Sequence, residues 1–390
     1  MTELRKPTAD DFVALTAFDA RVFGSNEYSE ASREAVRAVL DLDRYRIAVD
    51  DGQIVGAAGS DLFEMTLPGG VVITMAGVTW VGVAVTHRRQ GLLRRLMDAV
   101  HDDITDRGEP LAALTASEGA IYERFGYGIA TRRRIIEVDR RRAQVAEQFR
   151  PPAGTVRLLD DGAADAVRER WERNRTGRAG EVSRTPEWLA SMHVGWGPTA
   201  VTAVHDDGFA TWKTTQAWNE GFPAHELRVV DFAAITPEAH AALWHTILGV
   251  DLVGPIRSFV IPPDDPISYL LDDQRAYRTT GLNDGVWCKP MEVGACFAAR
   301  RYATEDSLVV EVDGVRHRID GGPDGAACSR TRRRPDVVTD QAGAGALLLG
   351  GVTVSALVAG HRATVRDDHA RTRADAFMTM APVPHSTTGF

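Results

Sequence analysis

Cysteine is scarce in this chain: Cys288, Cys296 and Cys328 are the only three in 390 residues. An odd, small number without paired metal-type spacing excludes a disulfide framework and a zinc finger, and favours a reducing compartment. Apolar runs are short. None reaches the roughly 18 residues a helical membrane span needs, and the opening MTELRKPTADDF has no apolar signal region. A cytoplasmic protein is therefore expected, with unconventional export as the one alternative, and no membrane partner. Basic charge is also short, with a net charge of −9, so nucleic-acid binding has no electrostatic support. No His/Asp/Glu cluster argues for a metal, and no serine sits in a nucleophile-elbow context. Internal repeats and long low-complexity segments are missing too.

What is present is the composition of an ordinary globular protein, 44% hydrophobic and 25% charged, at a length that suggests two or three domains. The stretch that organises the chain is VTWVGVAVTHRRQGLLRRL, residues 78–96. Val78–Val85 is apolar and β-branched, as a strand buried on both faces should be. After Thr86 come Arg88, Arg89, Gln90 and Gly91, and then Leu92, Leu93, Leu96, Met97, Val100 and Ile104 recur at helical spacing up to Arg107-Gly108. A strand that feeds a basic turn into a helix N-terminus is an anion site, because the first-turn amides lack helical partners and the helix dipole favours negative charge. Leu111–Ala116 reads as a second buried strand, which completes a strand–helix–strand unit. Thr115 and Glu118 have the spacing of a capping box, and Gly126 would stop a short helix.

The spacing Arg88-x-x-Gly91-x-Leu93 resembles the pyrophosphate loop of the GCN5-related N-acetyltransferases, with Leu93 where that family has a small residue. THRRQGLLR (86–94) followed by TASEGAIYERFGYG (115–128) is more specific, and resembles the Eis (enhanced intracellular survival) acetyltransferases of actinobacteria. The resemblance runs the length of the chain and is strongest over 78–130. It implies an α/β (α+β) fold of tandem acetyltransferase-like domains: a catalytic domain over 1–150, a degenerate one over 151–285, and a sterol-carrier-like α/β domain over 286–390. It implies acetyl-CoA as cosubstrate with no metal, aminoglycoside-type polyamines as acceptors, and a homo-oligomer, a hexamer in the family.

The rest of the chain agrees in outline. Asp10 and Asp11 open a helix that runs to about Phe23, a second helix covers Ser32–Leu40, and strands at 45–49 and 53–63 flank the hairpin signal Asp50-Asp51-Gly52. Pro68-Gly69-Gly70 turns into a further strand at Val71–Met75. The arginine triplets 132–134 and 140–142 read as a solvated face or edge-strand charge. Helices at 163–174 and 237–248, strands at 209–215, 226–233 and 257–261, and a hairpin at 308–319 follow. The middle segment has no Arg-x-x-Gly loop after a strand.

Acetyl transfer to an amine needs an anchored cofactor, a polarised thioester carbonyl, a base for the amine and an acid for the leaving thiolate. The anchor candidates are Arg88, Arg89, Gln90, Gly91, Leu92, Leu93 and Arg94. The amides of Val81, Gly82 and Val83 could pair with the pantetheine arm, and Val83 could act as oxyanion donor. Gly82 fits a bulge or close-approach site equally with a plain glycine in a buried strand. Ser117 and Glu118 match family positions that contact the cofactor. For the acid, the residues leave Tyr122 and Tyr127 level, and the family motif selects Tyr122. The resemblance also places the carboxylate of a terminal Phe in the active site, which here is Phe390. An α-carboxyl with a pKa of about 3.5 is a weak base unless desolvated, so it could act chiefly by holding an ammonium group. Gly389 stands where the family often has an acid. Trp80, Phe23, Asn26 and Glu27 are candidates for the substrate pocket. Two rival readings are lysine acetylation on peptides or proteins, and a non-catalytic lipid-binding protein.

Overall fold

A computed structural model describes residues 2–159 and 163–390. The first strand, β1 (Glu3–Arg5), leads through a short 3-10 turn to α1 (Phe12–Phe23) and α2 (Glu30–Val39). Thr8 and Asp11 form a reciprocal capping box at this start, and Gly24 ends α1 at φ 64°. Strands β2 (Tyr45–Asp50) and β3 (Gln53–Leu67) join through Asp51 and Gly52, both in the left-handed region as a tight hairpin turn requires. Next comes β4 (Val71–Val83), one long strand where two were expected at 71–75 and 78–85. Ala76 and Gly77 stay in register with Leu62 and Asp61 of β3, so nothing breaks the ladder between the two halves. A crossover through α3 (Leu92–Asp106) leads to β5 (Leu111–Thr115), which lies parallel to β4, and β6 (Gly128–Ile129) closes this part of the chain.

The expected divisions at 150 and 285 follow linear order, and the sheets do not. The first sheet runs β1-β2-β3-β4-β5, then the late strand Val286–Pro290, then β6. Val286–Pro290 is antiparallel to β5 along its whole length, from Val286 opposite Thr115 to Pro290 opposite Leu111. In exchange, the next segment, β7 (Arg132–Asp139), leaves this sheet for the second one. There it sits between strands Tyr277–Asp284 and Val253–Ser258. The 132–134 triplet lies at the end of β7 that pairs only with Tyr277–Asp284, with Arg132 exposed, and burial lowers the pKa of Arg133.

The second sheet continues through His225–Ala234, Gly208–Thr215, Val201–His205 and Arg157–Leu159. Its parallel pair, His225–Ala234 and Val253–Ser258, is joined by the helix Pro237–Leu248, repeating the strand–helix–strand plan of the first domain. Thr236 caps this helix by accepting from Ala239 N, and Pro237 fills its first position. An N-terminus that is already capped and begins with proline offers an anion few free amides. The helix Pro186–Trp196 and the strands 201–205 and 277–284 went unread in the sequence.

The C-terminal domain is a five-stranded sheet in the order 325–330, 315–322, 306–312, 337–339, 363–365. Its core is continuous with one face of the first sheet: Met65, Met75, Leu111 and Ala113 share a buried cluster with Phe297, Leu308, Val310 and Leu347. The helix Gln341–Leu348 lies against Val286–Pro290 so closely that a Cβ on Gly345 would stand 1.9 Å from Cys288 O. The three cysteines are free thiols. Among the described residues no helix is long and apolar enough to cross a membrane.

The Gly345 contact is backbone against backbone, so no rotamer change can relieve it. Gly345→Ala should destabilise the protein by roughly 1–3 kcal/mol or more, lowering the thermal midpoint. An unchanged midpoint would show that the helix and strand can separate.

Candidate active site

The site follows from a break in pairing. β4 and β5 pair only at Met75–Gly77 with Leu111–Ala113, and beyond that point the strands part. On the other side of β4 the ladder with β3 slips, so that Trp80 and Val81 stand opposite the single residue Ala58. This is a β-bulge, and Trp80 takes φ 54° to make it. The bulge falls at Trp80–Val81 and not at Gly82. Gly82 is instead a close-approach site toward α1, where a Cβ would lie 2.7 Å from Val22 Cγ1.

Beyond Val83 the chain makes a 3-10 turn and reaches α3. His87 ties this turn down, with Nδ1 at 2.8 Å from Thr86 Oγ1 and Nε2 at 3.3 Å from Asp50 Oδ2. Arg89 (φ 62°) and Gly91 (φ 76°) are both left-handed. No protein atom lies within 4 Å of where a Gly91 Cβ would stand, so the protein itself needs glycine there for its φ. Gly91 provides no side-chain cap, and the first helical bond runs from Arg95 N to Gly91 O. The amides before it are left for a ligand.

These elements enclose a cavity of about 690 Å³. Val81, Gly82 and Val83 line one wall, Arg88, Arg89, Gly91, Leu92, Leu93 and Arg94 another, and Ser117 and Glu118 a third. Gln90 is the exception among the cofactor candidates: its side chain turns back to donate to Thr86 O at 3.4 Å. A second cavity of about 200 Å³ adjoins the first, lined by Asp19, Phe23, Thr79, Trp80, Thr115 and Phe390 among others. Phe23, Val81, Ser117 and Tyr122 line both, so Tyr122 stands at their junction.

The structure separates the two tyrosines. Tyr122 faces both cavities; burial first, and the Glu118 charge second, push its phenol up to about 12. Tyr127 is sealed in the core, its hydroxyl 2.9 Å from His101 Nε2, and lines neither cavity. His101 Nδ1 lies 3.2 Å from Lys289 Nζ. An ammonium has no lone pair, so Nδ1 accepts from Lys289 and Nε2–H donates to Tyr127. Burial, helped by Lys289, lowers the His101 pKa to about 3, which keeps the ring neutral and this tautomer fixed.

The remaining candidates divide. Trp80 packs between Tyr28 and Tyr45, with ring centroids 6.1 and 6.0 Å away. Phe23 reaches both cavities, whereas Asn26 and Glu27 are exposed in the loop after α1 and line neither. The side-chain carboxylate lining the small cavity is Asp19. It is buried, accepts from Tyr28 Oη at 2.7 Å, and has its pKa raised by desolvation. Its signal was available: Phe12, Leu15 and Asp19 share one helical stripe, so an acid stands where the pattern asks for a core residue. Thr115 is the other omission. The expected capping box with Glu118 does not form, because two short 3-10 turns replace the helix. Thr115 Oγ1 instead donates to a main-chain oxygen of Phe390 at 3.1 Å, and the Phe390 ring packs against Phe63 with centroids 5.1 Å apart.

A family model described as "Acetyltransferase (GNAT) domain" matches residues 3–130, and a second of the same description matches 180–287. The chain is 35% identical to the N-acetyltransferase Eis of Mycobacterium tuberculosis over 97% of its own length and 98% of the relative's. It is 33% identical to an uncharacterised N-acetyltransferase of Streptomyces avermitilis over the whole of both chains. Among solved structures, Eis1 from Mycobacterium abscessus superposes with a TM-score of 0.87 at 30% identity over the full length of both. A GCN5-related N-acetyltransferase from Anabaena variabilis, at 17% identity and TM-score 0.83, shares the fold.

The unfolded chain takes a proton on His101 near pH 6.5 while the folded state, with a pKa of about 3, refuses it. This group therefore removes stability as pH falls from 6.5 toward 3, on the order of 1 kcal/mol per pH unit. His101→Gln should flatten the dependence of the thermal midpoint on pH across that window. Parallel curves for the variant and the wild type would show that His101 titrates freely.

Proposed function

The chain belongs to the Eis family of N-acetyltransferases, and from that premise we propose that it moves acetyl directly from acetyl-CoA to amines of aminoglycoside-type polyamines. The observation that carries the reading is the pair of adjoining cavities with Tyr122 at their junction. A cosubstrate in the larger cavity and an amine in the smaller would meet at that point, with no covalent enzyme intermediate required. The diphosphate would take the Arg88–Arg94 turn, where free amides, the dipole of α3 and arginine side chains coincide. The pantetheine arm would add along Val81–Val83 in the gap that β5 leaves, with the Val83 amide as oxyanion donor.

On the acceptor side, the Asp19 carboxylate favours a cationic substrate, and the Phe390 carboxylate is the proposed base or ammonium anchor. Several amines of one acceptor could present themselves in turn. Tyr122 would protonate the leaving thiolate. Its raised pKa keeps the phenol protonated, so its proton is in place when a thiolate forms beside it. The lipid-binding rival loses ground to the packing, since Phe297, Leu308, Val310, Leu347 and Phe377 of the C-terminal domain are completely buried. Assembly into a homo-oligomer, a hexamer by resemblance, belongs to the same proposal. Trp218 and Phe222 support it as exposed aromatics on a two-stranded ribbon of the kind a partner covers.

Thiol release from acetyl-CoA, measured against a panel of aminoglycosides and lysine peptides with mass spectrometry of the products, tests the reaction. Multiple acetylation of aminoglycosides is expected. Turnover on peptides alone would establish the protein-modifying reading, and no turnover on either would overturn acetyl transfer to amines. Tyr122→Phe should lower kcat more than tenfold and leave the Kd for acetyl-CoA nearly unchanged; an equal rate would remove Tyr122 from the mechanism.

A further inference from the structure

Residues 180–184 lie between two partners that are distant in sequence. On one side this segment runs antiparallel to the end of β3: Thr66 N donates to Glu181 O, Gly180 N to Thr66 O and Ser183 N to Glu64 O. On its other side is the last stretch of the chain. His385 N donates to Ala179 O, and Arg178 Nη1 to Val383 O at 2.5 Å.

Two ionisable side chains on the segment are nearly sealed from water, and burial raises the Glu181 pKa to about 7. Glu181 is 2% exposed and its two oxygens accept from Thr387 N at 2.9 Å and from Thr387 Oγ1 at 2.8 Å. Arg184, also 2% exposed, lies with its guanidinium 3.4 Å from the Trp171 ring centroid. Its Nη1 and Nη2 donate to the two oxygens of buried Asp231, at 2.6 and 3.2 Å, and its Nε donates to Thr388 Oγ1 at 2.8 Å.

Burying an ion pair costs desolvation that its own attraction barely offsets, and it persists when the remaining donors are satisfied. For Arg184 the third guanidinium nitrogen, Nε, donates to the tail; for Glu181 both oxygens accept from it. Consecutive residues Thr387 and Thr388 are thus held by side chains of the second domain. A Cβ on Gly389 would meet nothing within 4 Å, so only backbone links this clamp to Phe390 in the small cavity. The second domain, whose own helix N-terminus is capped, has two buried polar side chains aimed at the chain that enters the first domain's site.

We propose that Glu181 and Arg184, braced by Asp231 and Trp171, are positioning residues that clamp Thr387 and Thr388 and so set Phe390 against Thr115 in the acceptor cavity. This rests on the reading of Phe390 as a participant in transfer. The second domain then serves catalysis without binding cofactor: it fixes the register of a segment that would otherwise fray at its end.

The test substitutes the tail, which leaves the Arg184–Asp231 pair intact. In the full-length protein, Thr388→Val should lower kcat about tenfold with the KM for acetyl-CoA nearly unchanged, while the unpaired Arg184 Nε lowers the thermal midpoint; Thr388→Ser should recover both by restoring the acceptor hydroxyl. Thr387→Val, at a half-buried position, carries the same test should Thr388→Val fail to fold. Deleting Phe390 reports on the underlying reading separately: a wild-type rate after deletion ends the role of Phe390. If deletion cripples turnover while the valine variants keep wild-type kcat, the clamp is overturned and Phe390 stands. In the Phe390-deleted chain the valine substitutions should cost nothing further, whereas an equal additional loss would make their effect structural and overturn the clamp.

Discussion

A backbone amide or carbonyl taken out of water needs a partner, and in the catalytic half the arrangement turns on where β4 gives one up. Three residues of parallel pairing hold β4 to β5, and past Gly77 both strands need other company. β5 finds it in the late strand Val286–Pro290 on its far edge. β4 finds it only on the β3 side, and the bulge at Trp80–Val81 turns the strand away as it goes. The wedge between the two is the larger cavity, and the free edge of β4 forms one of its walls. The Arg88–Arg94 turn, Tyr122 and the smaller cavity are all placed around that opening, so a mutation that re-paired the strands would erase both cavities without touching a single polar side chain.

The parts of this design that are local were legible. Val78–Leu96 shows its strand, its basic turn and its helix because period, glycine and charge change within a few residues. The residues read there as cofactor contacts do line one cavity, apart from Gln90. Tyr122 and Tyr127 were indistinguishable by residue type, and only packing tells them apart: one hydroxyl is spent on a neutral histidine in the core, the other is left facing the cavities. Asp19 was visible as a break in an apolar stripe but had no partner in the linear chain to give it meaning, since Tyr28 reaches it from beyond the loop.

What could not be read was non-local. Nothing in VWCKP announces that it inserts beside β5, some 170 residues earlier in the chain, because a short apolar strand is compatible with any sheet that has an open edge. The same holds for the exit of β7 into the second sheet and for the path of residues 379–390. Boundaries drawn along the chain assume that each sheet is filled from one contiguous segment, and here two sheets trade strands.

That trade has a consequence for synthesis. When the first 130 residues have left the ribosome, β5 has an unsatisfied edge and the Met65–Leu111 face has no cover, because both are completed by residues beyond 285. The N-terminal domain must wait, partly open and adhesive, through the translation of the whole second domain. Its folding is a long-range closure rather than a local collapse. A fragment of residues 1–130 alone would keep that edge unpaired and that face uncovered.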